Sequence, residues 1–340
     1  MTIGIPKALI YWKEPGIEFW KTFFKGIGLD VIISPSTNRK IVAQGAKASD
    51  TESCFSSKVF LGHVLELEDK VDYIFIPRMI RNEMGLEYCP KFFALSDIAT
   101  LIVKTPIIFP RIDFKKESLE KIALRIGKQF CDDIEKIKKA IDKGKKEMKK
   151  QEEKKLQSFY KKMKSNRKKI VLVSHPYILY DEYANLGIEK KLNDLGMELI
   201  HIDEIPLKQN RLLKSKTGFI EKLTYDEIAT KDSEFPNWHW EFGRDITEQV
   251  EKIIKISLLA KQDKVNNNNS ETESSALSLL KLAGAIEISA FQCGCDSVLK
   301  EFVEKMFKQE KIPFLYLLID EHTAEAGLQT RLEAFVDTIH

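Results

Sequence analysis

Two periods alternate along the chain. Short apolar runs at 1–12, 31–34 (VIIS), 71–77 (VDYIFIP) and 105–110 (TPIIFP) read as strands, and the nearly continuous third run suits a strand buried on both faces. Between them, 17–26, 38–48 and 58–67 repeat at helical spacing, the first stopped by its glycines, with a turn at 49–53. A second set follows: KIVLVS at 169–174, MELIHI at 197–202, AGAIEISAF at 283–291 and FLYLLID at 314–320 as strands. Helices are expected at 182–195, at 296–308 and through Leu332 and Phe335. Strands alternating with helices in this way build βαβ units and parallel sheets.

Between the two sets, over 115–169, the composition shifts to lysine and glutamate. Leu119, Ile122, Ile126, Phe130, Ile134, Ile137 and Ile141 keep helical spacing through it, and Cys131 falls within that amphipathic pattern. Its lysine face is either simply solvated or a docking face for an acidic partner. Residues 205–262 read as mostly helical, and NNNNSETESS at 266–275 as a polar loop. The expected fold class is α/β: two doubly wound, Rossmann-like lobes with mostly parallel sheets, at 1–114 and 169–340. A basic amphipathic helical section at 115–168 joins them, and a helical insertion at 205–280 interrupts the second.

A length of 340 residues with 43% hydrophobic content is enough for two cores. The formal charge of only +3 gives no overall field for nucleic acid or an anionic membrane, so neither is an expected partner. The N-terminus runs straight into a strand without a signal-peptide pattern, and no segment reaches about 18 uninterrupted apolar residues, so a cytoplasmic location is expected. In that compartment 5 cysteines argue against a disulfide framework, which leaves metal binding, catalysis or burial.

Placement narrows the choice. Cys89 follows VDYIFIP, Cys293 follows AIEISAF, and Cys54 starts a helix, so all three belong to the rim where doubly wound sheets bind ligands. A helix N-terminus favours a thiolate, and thiolates favour iron–sulfur clusters, zinc or Cu(I) over hard ions. The three lie far apart in sequence, unlike the close pairs of zinc ribbons and ferredoxins. Spacing alone therefore leaves three buried structural cysteines as an equal reading. Cys295, in FQCGCDS, is near enough to join Cys293 as a further ligand.

Several stretches together resemble the 2-hydroxyacyl-CoA dehydratase superfamily, closest to its activase-related branch, which includes the double-cubane cluster proteins. They are IGIPKALIYW at 3–12, ESCFSSKVFLGH at 52–63, IPR at 76–78, YCPKF at 88–92, HPYILYDEYANLG at 175–187, WHWEFGRDI at 238–246, FQCGCDS at 291–297 and DEHTAEAGLQTRLEAF at 320–335. The resemblance implies a [4Fe-4S]-type cluster on Cys54, Cys89 and Cys293, with its fourth iron open. The rim has too few cysteines for a double cubane. A separate ATP-dependent activator of the sugar-kinase and actin type would supply low-potential electrons, in keeping with the lack of GxxxxGK[ST] or GxGxxG here. The implied activity is that of a dehydratase-like lyase acting on an acyl-CoA, or of an iron–sulfur reductase for a small molecule. The implied assembly is a homodimer or a pair of related subunits. Other readings are a non-catalytic electron-transfer or cluster-carrier protein and a zinc or apo binding module. The chain departs from the family pattern at Ser56 and Cys295, where the family has prolines.

Further candidates surround these thiols. His175, Tyr177, Asp181 and Asn185 follow the first strand of the second lobe and either line the cleft or cap the next helix. Glu321 and His322, with His175, are candidate acid–base groups. Glu325 and Arg331 are expected to pair with each other. Arg78 and Lys91 flank the second cysteine, as tuning charges, contacts for a CoA phosphate or plain loop residues. Trp238, His239 and Trp240 are expected to pack a helix against the lobes.

Overall fold

The computed structural model of the chain describes residues 1–12, 15–205, 238–266 and 282–339. The first strand, β1 (Thr2–Ile5), is shorter than the apolar run containing it. Pro6 has no N–H to continue the ladder, and the chain turns into a 3-10 segment at Leu9–Trp12. Helix α1 (Gly16–Ile27) buries Phe19, Trp20, Phe23, Phe24 and Ile27 and ends at Gly28, whose φ of 98° lets its amide reach back to the last carbonyls. Next come β2 (Asp30–Ile33) and α2 (Arg39–Ala48), which Asn38 caps by accepting the Ile41 amide.

Helix α3 (Phe55–Leu67) is buried on nearly every side. It crosses α2 backbone to backbone: a Cβ on Gly45 would sit 1.8 Å from the Lys58 carbonyl oxygen, and one on Gly62 would sit 2.0 Å from that of Ile41. Only glycine permits this approach.

The first lobe continues with β3 (Tyr73–Phe75), β4 (Arg78–Arg81), α4 (Pro90–Ile102), β5 (Ile107–Ile108) and β6 (Arg111–Asp113). Its main sheet has the order β2-β1-β3-β5, all parallel, and β4 pairs with β6 in a small parallel sheet.

Two helices, α5 (Leu119–Gly127) and α6 (Ile134–Met163), follow. The first half of α6 buries Ile137, Ala140, Ile141 and Gly144, with Gly144 seated on Phe19 of α1. Its last turns bury Phe159, Tyr160 and Met163, and Lys162 donates to Glu204 of the second lobe at 2.9 Å. One helix thus straps both lobes. Cys131 lies in the connection before α6, not within a helix, because the chain breaks between Gly127 and Ile134.

The second lobe is built from β7 (Lys169–Val173), the single turn α7 (Pro176–Leu179), α8 (Ile188–Asp194), β8 (Glu198–His201), α9 (Glu241–Asn266), β9 (Leu282–Ala290), α10 (Gly294–Gln309), β10 (Phe314–Ile319) and α11 (Glu325–Thr338). Its parallel sheet has the order β10-β9-β7-β8. The helix expected at 182–195 is confined to α8, because Asn185 locks the preceding loop by donating to the Ile178 and Leu179 carbonyls at 2.9 and 3.0 Å. Of the helical reading over 205–262, only α9 falls among the described residues, and the polar run at 266–275 lies almost wholly outside them. The class is α/β with mostly parallel sheets and Rossmann-like lobes. No helix among the described residues is long and apolar enough to cross a membrane.

Candidate functional site

In each sheet the chain leaves the first strand to one side and later returns on the other. The switch points therefore lie between β1 and β3 and between β7 and β9, where side chains beyond the strand ends converge. Three helices begin there with a cysteine: Cys54 caps α3, Cys89 caps α4 and Cys293 caps α10, none with a side-chain cap bond of the usual kind. The capped N-termini leave amides facing the sulfurs, and Ser57 and Lys91 donate theirs to Cys54 and Cys89.

The two lobes meet at this rim. The Phe55 amide donates to the Phe291 carbonyl at 3.1 Å, and Gln292 donates to Glu52 at 3.0 Å. Gln292 has a φ of 61°, a left-handed conformation that turns the chain immediately before Cys293. Cys54, Cys89 and Cys293 lie within mutual electrostatic reach, and Cys295 shares side-chain hydrogen bonds with Cys89 and Cys293. All four thiols are half-buried and free.

Their protonation differs within each lobe. Burial pushes Cys54 up, against the bonds from Ser57, whose hydroxyl lies 3.1 Å from the sulfur. A hydrogen bond from Cys295 draws Cys89 down to about 7 and Cys293 to about 6, with His175 assisting at Cys293. Cys295, the donor to both, is correspondingly held protonated.

Behind Cys293 lies a buried ionic group. His175 Nε2 is 2.5 Å from Asp296 Oδ1, and donor atoms of His175, Cys293 and Asp296 lie within 4.8 Å of one another. Burial works against the imidazolium, but the Asp296 charge and hydrogen bond prevail and hold His175 up at about 10. Glu287, on β9, is pushed up to about 8 by burial and by Asp296. Neither Asp296 nor Glu287 stood out in the sequence analysis. The available signal was a carboxylate inside an apolar strand, AIEISA, and another directly after the CGC triplet.

Tyr177 stacks on His175 at 4.9 Å, and its hydroxyl is within electrostatic reach of the three rim thiols. Burial keeps that phenol protonated. Phe242 of α9 covers His175 edge-on at 4.6 Å, which screens this side from water.

The remaining candidates have other positions. Glu321 accepts from Lys58 at 2.6 Å across the lobes, the two side chains 13% and 7% exposed, so the loop after β10 is pinned to α3. His322 is exposed, its amide bonded to Asp320. Asp181 caps the Ala184 amide at 3.0 Å and accepts from Thr37, so it serves both a turn and the lobe contact. Asn185 is spent on backbone. Arg78 pairs with Asp97 and lies over Phe93 and Phe109, while Lys91 reaches the thiols only through its amide. Glu325 pairs with Lys191 at 2.5 Å and Arg331 bonds the Tyr316 carbonyl, so the expected mutual pair does not form. Trp238 packs on Phe302 of α10 at 5.1 Å, and His239 contacts Glu87 at 3.1 Å.

A family model described as "CoA enzyme activase uncharacterised domain (DUF2229)" matches residues 2–205, which include Cys54, Cys89 and His175 but end before Cys293. No curated protein matches the chain. Among solved structures, the SBP FpvC of P. aeruginosa in complex with Ni2+ aligns at 11% identity with a TM-score of 0.30, covering 100% of this chain and 95% of that one. The same protein with Mn2+ aligns at 10% identity with a TM-score of 0.29, covering 100% and 96%. Similarity at that level does not establish a shared fold.

Proposed function

Since the chain belongs to the CoA enzyme activase uncharacterised domain family, we propose that it is an iron–sulfur protein whose centre accepts low-potential electrons from a separate ATP-dependent activator. The carrying observation is the meeting of Cys54, Cys89 and Cys293, distant in sequence, at one seam between the lobes. The donor set fits a [4Fe-4S] cluster. Thiols dominate it, and each of the three caps a helix whose free amides and positive end suit an anionic centre. Cys54, Cys89 and Cys293 would hold the cluster, which when bound supplies reversible one-electron chemistry at low potential.

The chain's own groups have distinct duties around that centre. His175 lies beside Cys293 and is held in place by Asp296, a charged neighbour of a ligand sulfur that tunes how strongly the sulfur donates. Tyr177 and Phe242 wall off water, and lower solvent access shifts a redox centre's potential. Lys58 and Glu321 keep the second lobe's loop against α3 and so preserve the seam on which the three sulfurs meet.

The test is chemical analysis of protein purified without air or reconstituted with ferrous iron and sulfide. Iron and acid-labile sulfide in equal amounts, with an electron paramagnetic resonance signal on reduction by a low-potential reductant, are expected. Zinc in place of iron, or iron without sulfide, overturns the reading.

A further inference from the structure

A small cavity lies between the lobes beside the first turn of α3. Leu9, Ser56 and Val59 of the first lobe face Tyr177, Ile178 and Asp181 of the second across it, and it leaves about 10 Å³ for the centre of a water-sized molecule, room for one. Its walls hold a polar group that the protein does not satisfy. Ser56 is 4% exposed, and its hydroxyl has no hydrogen-bond partner among the described residues. Asp181, 8% exposed, is arranged as an acceptor. Thr37 spends its one hydroxyl proton on Asp181, so His63 Nε2, at 2.9 Å, donates to Thr37, and His63 Nδ1 accepts from Ser34 at 2.8 Å. The Ala184 amide also donates to Asp181, at 3.0 Å, and each carboxylate oxygen keeps a further lone pair.

We infer that this cavity is a binding site for one water molecule, which accepts the Ser56 hydroxyl proton, donates to the Asp181 carboxylate and so bridges the two lobes. An apolar guest would leave Ser56 without a partner, and a cation would meet Leu9, Val59 and Ile178 on most sides with a single carboxylate to balance it. Asp181 and Thr37 also line the larger open groove between the lobes, so solvent lies on the far side of the same carboxylate. Ser56 is a position where the chain departs from the proline of the family it resembles, and a proline has no hydroxyl with which to hold the water. The site involves no metal and stands whether or not the iron–sulfur reading does.

Two measurements on the full-length protein test it. In a high-resolution crystal structure of the wild type, density for one oxygen atom within hydrogen-bond distance of both Ser56 Oγ and an Asp181 carboxylate oxygen is expected. Oxygen-17 magnetic relaxation dispersion, which responds to water alone, is expected to count one long-lived water fewer in Ser56→Val, whose methyl groups occupy the space and remove the donor. Should Ser56→Val not fold, Ser56→Pro takes its place, since the first turn of a helix tolerates the loss of that N–H. An empty cavity, density bonded to only one lobe, or a Ser56 hydroxyl turned onto a backbone carbonyl overturns the inference. Equal dispersion in the wild type and the folded variant overturns it as well, and the wild-type density decides the matter even if neither variant folds.

Discussion

The two lobes repeat one strand order, β2-β1-β3-β5 against β8-β7-β9-β10, yet what they bring to the seam differs. The first contributes two thiols at helix starts, one of them on the buried α3, which packs on α2 backbone to backbone through Gly45 and Gly62. The second contributes two thiols backed by charge, with His175, Asp296 and Glu287 buried beyond them. A shared topology therefore fixes where a site lies without fixing its chemistry. Geometry comes from one side and electrostatics from the other.

The largest effect that would separate the two belongs to Gly62→Ala. The added methyl meets the Ile41 carbonyl, which cannot turn aside, and a loss of more than about 3 kcal/mol is expected. The matching change in the second lobe, Gly284→Ala, meets Phe335 Cζ at 2.8 Å, the far end of a side chain that can shift, and should cost far less. Urea denaturation of both variants checks this, and equal midpoints would refute the contrast.

Next comes Lys58→Met, which leaves Glu321 nearly buried without its cation and is expected to cost about 3 kcal/mol. The double variant Lys58→Met/Glu321→Leu should recover most of that loss, measured in the same way. Failure to recover would mean that the pair does not act as a unit.

A smaller effect comes with pH. His63, in α3, is wholly buried between Ser34 and Thr37, at 2.8 and 2.9 Å, and burial lowers its pKa to about 4. Its folded pKa lies below the unfolded value near 6.5, so the unfolded chain takes up the proton first on acidification. The stabilisation is complete above about pH 6.5 and is lost towards pH 4, at most roughly 3 kcal/mol. Thermal unfolding across that window should show a decline that His63→Gln flattens.

The smallest concerns reactivity in metal-free protein. Cys293, drawn down to about 6, should be alkylated at pH 7 roughly tenfold faster than Cys54, which burial pushes up. Peptide mass spectrometry after timed iodoacetamide treatment reads both sites at once. Equal rates would remove the electrostatic half of the comparison.

Particular residues show how far the sequence carried. The α/β class and strand succession follow from period alone, and Cys54, Cys89 and Cys293 could be assigned to strand ends because each follows an apolar run or opens a helix. Helix α4 was not anticipated: Phe92, Leu95, Ser96 and Ala99 are buried, but apolar residues also cover its other faces, so the amphipathic signal fades and only Pro90 at its start marks it. The pairings of Lys58 with Glu321 and of His175 with Asp296 span 263 and 121 residues, and no local pattern encodes contacts made by folding. Cys131 was assigned to a helix because its neighbours kept helical spacing across a break that spacing alone does not reveal.

The central claim is that thiols from both lobes hold one centre. The most direct measurement is the reduced electron paramagnetic resonance spectrum and iron content of Cys54→Ala, Cys89→Ala and Cys293→Ala beside Cys131→Ala. Loss or alteration of the signal in each of the first three, with Cys131→Ala indistinguishable from wild type, is the expected result. A wild-type spectrum surviving unchanged in any of those three variants would contradict it.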